Sequence, residues 1–159
     1  MATRDERALP HDPDLEVDED AAGTPLPVHL TPHLVALVFV GGSAGTLTRA
    51  LLDHWFPAGS GFPVTIFAIN VTGALALAVL IETLALRGPD AGLRRGLRLL
   101  LGTGVLGGYT TYSAFAVQTD ALVRAGSIAT ALAYALTTVA VGFFASIVGI
   151  VVTRKVLGP

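Results

Sequence analysis

Residues 125–153 read AGSIATALAYALTTVAVGFFASIVGIVVT, a run of 29 residues without one Asp, Glu, Lys or Arg. Residues 21–48, 54–81 and 99–119 are equally free of charge, in runs of 28, 28 and 21 residues. A helix crossing the hydrocarbon core of a bilayer needs about 20 predominantly apolar residues. The spacing therefore predicts an all-α membrane protein with four transmembrane helices, embedded in a lipid bilayer. Only 14% of the 159 residues are charged, against about 25% in an ordinary soluble domain.

The remaining charge is unevenly placed. Residues 1–31 hold eight acidic and two basic side chains, and residues 32–159 hold four acidic and eight basic ones. The first segment also contains Pro10, Pro13, Pro25 and Pro27 but no apolar run, so it reads as an acidic, disordered N-terminal tail. It lacks the basic start and apolar core of a signal peptide. Residues 32–159 then form the four-helix domain. The basic balance is too small for a nucleic-acid surface. With Cys 0 there are no disulfides or thiolate chemistry.

Span one is expected over Pro32–Leu52, span two over Phe62–Leu86 and span four over Ser127–Val152. Span three, between Arg98 and Asp120, differs from the others. It contains Gly102, Gly104, Gly107 and Gly108 along with Thr103, Thr110, Thr111, Ser113, Gln118 and Thr119. Glycine is unfavourable inside a helix by up to about 1 kcal/mol relative to Ala, and a break is expected near Gly107-Gly108. Broken backbone at membrane depth has to be buried in protein or line a cavity, because lipid offers it no hydrogen bonds. The broken segment is the expected functional element.

The middles of the spans carry no Asp, Glu, Lys, Arg or His. Arg49 and Glu82 lie near span ends, and no nucleophile–base pair or metal-ligand cluster is legible, so the chain is not expected to be an enzyme. What the spans offer is neutral and polar: Asn70 in span two, hydroxyls beside Tyr112 and Phe115, and Thr130, Tyr134, Thr138 and Gly142 on one face of span four. Amide and hydroxyl donors, with the electropositive edges of aromatic rings, suit weak coordination of a small anion, as conduction demands. Each feature also has a plainer explanation. Ser and Thr bond back to their own helix, Asn70 could join helices, and Arg49 could reach for the interface. Gly41-x-x-x-Gly45 and Gly104-x-x-x-Gly108 fit close helix packing.

As a set, these residues resemble the small dimeric fluoride channels called Fluc or CrcB, over nearly all of residues 35–152. The resemblance rests on Gly41-Gly42-Ser43-Ala44-Gly45 leading to Arg49, on Phe67-Ala68-Ile69-Asn70-Val71-Thr72-Gly73, and above all on Gly104-Val105-Leu106-Gly107-Gly108-Tyr109-Thr110-Thr111-Tyr112-Ser113-Ala114-Phe115. It implies passive, fluoride-selective export through an antiparallel dimer with two pores. It also implies that Asn70, Tyr112, Ser113, Phe115, Tyr134 and Thr138 line the pore and that Arg49 lies near the dimer vestibule. A structural sodium ion at the dimer centre would be held by the backbone carbonyls of Gly107 and Thr110. The chain departs from the family pattern in having Tyr112 for the first phenylalanine, Ala114 for a threonine, Gly142 for a hydroxyl and Gln118 for a frequent glutamate.

Two other readings compete with the channel. A four-helix drug exporter would need a carboxylate at depth, where only peripheral Glu82 is available. A non-conducting membrane assembly subunit would account for the packing glycines but not for Asn70 with the aromatic pair. Orientation follows from charge. Arg87, Arg94, Arg95, Arg98, Arg154 and Lys155 fall on one side, with only Arg49 and Arg124 on the other, which places both termini in the cytoplasm of a multi-pass cell-membrane protein. So strong a bias points to an oppositely oriented homologue as the antiparallel partner, with a second copy of the chain as the alternative.

Overall fold

The computed structural model describes residues 17–19, 25–27, 31–59 and 61–158, and the chain divides into two units, residues 1–36 and 37–159. In the first unit, strands β1 (Val17–Glu19) and β2 (Pro25–Pro27) pair antiparallel, with Asp18 opposite Leu26. Proline has no N–H to give a ladder, which keeps this pairing short. The rest of the expected N-terminal tail lies outside the described residues.

Every other described element is helical. They are α1 (Pro32–Trp55), α2 (Val64–Leu86), α3 (Leu93–Leu97), a π-helical segment (Arg98–Leu106), α4 (Gly107–Tyr109), α5 (Tyr112–Arg124) and α6 (Ile128–Leu157). Three of these, α1, α2 and α6, are long and apolar enough to cross a membrane. Expected span three is instead divided among the π-helical segment, α4 and α5, with the short α3 leading into it. Its helix continues through Gly107-Gly108 and is interrupted at Thr110 and Thr111, so the break falls three residues beyond the expected place.

The helices carry much of their apolar mass outward. Phe39, Leu136, Phe143 and Phe144 are exposed, whereas Ile66, Ile69 and Tyr134 are fully buried. Large apolar side chains facing out around three long apolar helices, whose charges Arg49, Asp53, Glu82, Arg154 and Lys155 lie toward the helix ends, suit a hydrocarbon surround rather than water. Within the second unit α2 packs most extensively on α6. Gly149 permits that approach, since a Cβ there would stand 3.0 Å from both Leu75 O and the Ala78 Cβ. Near the ends of the same two helices, Arg154 Nε donates to Glu82 Oε1 at 2.7 Å.

Of the two glycines expected to break the helix, Gly108 is spent on packing, whereas a Cβ at Gly107 would meet only Gly102 O at 3.9 Å. On α1, a Cβ at Gly41 would run into Leu100 O, and one at Gly45 into Val105 O. From the facing segment, a Cβ at Gly104 would lie 2.9 Å from Gly41 Cα, and one at Gly108 would strike Gly42 O. The two small-x-x-x-small motifs thus meet each other, backbone against backbone, as such motifs do in lipid. Gly42 differs, because its nearest neighbour would be Gly104 O at 4.0 Å.

That contrast sets an expected outcome. Gly41→Ala and Gly45→Ala should each destabilise the fold by about 1–3 kcal/mol, the usual cost of overpacking, and Gly42→Ala should be nearly neutral. Thermal unfolding of the purified variants in detergent measures the difference.

Candidate functional site

Two threonines make the break. Thr110 (φ −74°, ψ 155°) and Thr111 (φ −151°, ψ 125°) are extended, a conformation that β-branched side chains favour. The Thr110 hydroxyl donates back to Leu106 O at 2.8 Å, closing off the preceding helix. Thr111 starts the next one: its Oγ1 accepts from the N–H of Ala114 at 3.2 Å, an N-cap. Ser113 Oγ lies 3.1 Å from the same hydroxyl.

The interrupted backbone is satisfied from α2. Asn70 Oδ1 accepts the N–H of Thr111 at 2.8 Å, and Asn70 Nδ2 donates to Thr111 O at 3.0 Å. One side-chain amide therefore serves both backbone groups of one residue, as a neighbouring strand would. Leaving either group buried without a partner would cost roughly 1–3 kcal/mol. The preceding turn is held from α1, where Arg49 Nε and Thr46 Oγ1 donate to Gly108 O at 3.3 and 3.4 Å. Gly73 gives the break its seat, because a Cβ there would collide with Thr110 Cγ2.

Beside the break opens a cavity of about 590 Å³. Of the residues singled out in the sequence, Asn70, Gly102, Gly107, Thr110, Thr111, Tyr112, Phe115, Thr138 and Gly142 line it. Tyr112 is 81% exposed, and its ring centroid lies 6.0 Å from that of Phe115. Ser113, Tyr134 and Arg49 are elsewhere. Ser113 faces the Thr111 cap, and Arg49 holds Gly108. Tyr134 is fully buried between Phe62 and Phe115, with ring centroids 5.3 and 5.2 Å away, and its hydroxyl donates to Gln118 Oε1 at 3.2 Å. The Thr138 hydroxyl donates to Tyr134 O at 2.6 Å, so it shows the cavity lone pairs and a methyl group rather than a free proton. Asn70 commits one amide proton to Thr111, and its second remains for the cavity.

Among the described residues, no group of three or more His, Cys, Asp or Glu is placed to hold a metal ion. The break does release a carbonyl. Thr111, whose N–H would otherwise close a helical turn onto Gly107 O, gives it to Asn70 instead. With Thr110 turned extended, the carbonyls of Gly107 and Thr110 flank the break, and neutral carbonyl oxygens suit a hard cation.

Sequence reasoning did not assign Thr111, Thr46 or Gln118 a role. For Thr111 a signal existed: a Thr-Thr pair within an uncharged run marks an extended dipeptide followed by a capping hydroxyl. Nothing in the sequence tied Thr46 or Gln118 to their distant partners.

Comparison with known proteins bears on the same residues. Residues 36–150 match the family described as CrcB-like protein, Camphor Resistance (CrcB). The chain is similar to "Fluoride-specific ion channel FluC 2" of Leifsonia xyli subsp. xyli, 53% identical over 124 residues, covering 78% of this chain and 86% of the relative. It is 47% identical over 128 residues to "Fluoride-specific ion channel FluC 1" of Cutibacterium acnes, covering 80% and 90% of the two chains. "Fluoride-specific ion channel FluC" of Beijerinckia indica subsp. indica is 39% identical over 121 residues, with 75% and 94% covered.

The paired bonds at the break predict a local measurement. In Asn70→Ala the Thr111 amide loses its acceptor, and hydrogen exchange of a peptide containing Thr111 should speed up by roughly tenfold or more, the equivalent of the ~1–3 kcal/mol of one lost buried hydrogen bond. Peptides from the middle of α6 should exchange as before.

Proposed function

The chain belongs to the CrcB family, and on that premise we infer that it is a fluoride-specific ion channel, a multi-pass membrane protein that exports fluoride passively and so lowers its cytoplasmic concentration. The observation that carries this reading is the family match across residues 36–150, which takes in the whole break and its cavity. Fluoride is the smallest halide, and a path lined by a few neutral donors and ring edges holds it without trapping it. Asn70 offers its second amide proton, Phe115 and Tyr112 offer ring edges, and Thr138 adds a hydroxyl oxygen to the lining. A proton-coupled exporter is not favoured: Glu82 is held by Arg154 near the helix ends.

The assembly follows from the same premise. The segment from α3 through α5 makes the fourth crossing, and its break is protected because it faces protein and cavity rather than lipid. Two chains pair antiparallel, with Arg49 near the vestibule between them. A sodium ion at the centre would be held by the carbonyls of Gly107 and Thr110, and its chemistry is that of a fixed positive charge joining two breaks. The termini are cytoplasmic, since Arg87, Arg94, Arg95, Arg98, Arg154 and Lys155 outweigh Arg49 and Arg124. Such a bias favours an oppositely oriented homologue as the partner, with a second copy as the alternative.

Transport is the first test. Liposomes containing the chain, alone or with an oppositely oriented homologue, should release fluoride and not chloride, and comparable chloride release would contradict the assignment. Phe115→Ile should slow fluoride release about tenfold, the rate equivalent of losing ~1.4 kcal/mol of favourable contact. Orientation has its own test. Single cysteines at Gly88 and Ser127 are the only thiols in a chain with Cys 0. A membrane-impermeant reagent applied to intact cells should label Ser127→Cys and spare Gly88→Cys. Equal labelling of both would restore a dual-topology homodimer.

A further inference from the structure

A second cavity, of about 500 Å³, lies away from the break where α2 meets α3. Its lining joins two chemistries. Ile81, Leu84 and Ala85, from the last turns of α2, form an apolar wall, and Arg94 and Arg98 face them across the loop with Asp90. Both guanidinium groups are fixed in advance. Arg94 Nε donates to Pro89 O at 2.7 Å, and Arg98 Nη2 and Nε lie 2.6 and 2.7 Å from Asp90 Oδ2. Gly88, at φ +120°, keeps its backbone low beneath Arg94, where a Cβ would stand 3.4 Å from Arg94 Nη2.

Asp90 is committed to Arg98, whereas the bond from Arg94 to Pro89 O uses only Nε of a side chain that lines the cavity. The lining therefore carries one net positive charge beside hydrocarbon. Arg87 adds another basic residue immediately after α2. We propose that this cavity binds an anionic phospholipid, with the phosphodiester on Arg94 and Arg98 and an acyl chain along Ile81, Leu84 and Ala85. A planar guanidinium matches phosphate oxygens in a bidentate manner. A free phosphate would satisfy the arginines but leave the apolar wall unused, which is why the lipid is the occupant. Basic pockets at helix ends on the cytoplasmic face are suited to such headgroups.

The proposal rests on α2 being a membrane span, and its test is separable from fluoride transport. The probes are phosphatidylglycerol and phosphatidylcholine with identical acyl chains, offered to the full-length chain in detergent, and native mass spectrometry reads the lipid retained. Phosphatidylglycerol should be preferred by about fivefold, the effect of one basic side chain beside an anionic headgroup. Arg94→Gln should abolish the preference, and Ala85→Trp, which fills the cavity from its apolar wall, should do the same. Arg124→Gln, outside the cavity, should leave it intact. No preference in the parent chain, or an unchanged preference in either folded cavity variant, would overturn the proposal. Displacement of phosphatidylglycerol by millimolar inorganic phosphate would overturn the lipid in favour of a free anion. Fluoride efflux reports separately: a chain that releases chloride as fast as fluoride yet prefers phosphatidylglycerol supports this site and contradicts the channel.

Discussion

A helix that is interrupted among packed helices leaves backbone groups that need new partners, and here the amide of Asn70 takes up both groups of Thr111. The other features of the site depend on that pair. It permits two extended residues between α4 and α5, releases the Gly107 carbonyl from its helical turn, and sets Tyr112 and Phe115 at the start of a new helix beside a cavity. A single amide does this because it carries a donor and an acceptor side by side. Neither a carboxylate nor a hydroxyl of similar size offers the same reciprocal arrangement.

Asn70 fastens the residue after the break from α2, and Arg49 with Thr46 holds the carbonyl before it from α1. Behind both lies the glycine interlock, where α1 and the π-helical segment meet with no side chain between them. The approach is so close that the helices have little freedom to slide without moving the break as well. For an ion path this rigidity is useful, because weak coordination works only if the donors are already in place. The polar side chains divide accordingly. Thr110, Thr111 and Thr138 spend their hydroxyls on backbone or capping, which leaves the Asn70 amide and the aromatic rings as the groups open to an anion.

Much of this was legible in the sequence. Runs of 28, 28 and 29 uncharged residues located α1, α2 and α6, and a glycine-rich fourth run marked the irregular element. The position of the break was not legible, because glycine has two uses that look alike on the page. It can loosen a helix, or it can let two helices touch. Gly107-Gly108 was read as the first, whereas Gly108 performs the second, and the interruption falls to Thr110-Thr111. Partnerships across 41 residues, such as Asn70 with Thr111, depend on tertiary placement and leave no local trace. Tyr134 shows the same limit. Its spacing with Thr138 put it on a shared face, but neighbouring rings from Phe62 and Phe115 enclose it.

The central claim is that the Asn70–Thr111 pair holds open the path that fluoride takes. It is tested most directly by fluoride efflux from liposomes containing Asn70→Ala, prepared as for the parent chain and shown to be folded and inserted. Loss of the pair should slow efflux by roughly tenfold or more, since the ~1–3 kcal/mol of an unmade buried hydrogen bond has that equivalent in rate. Efflux at the parent rate from the folded variant would contradict the account.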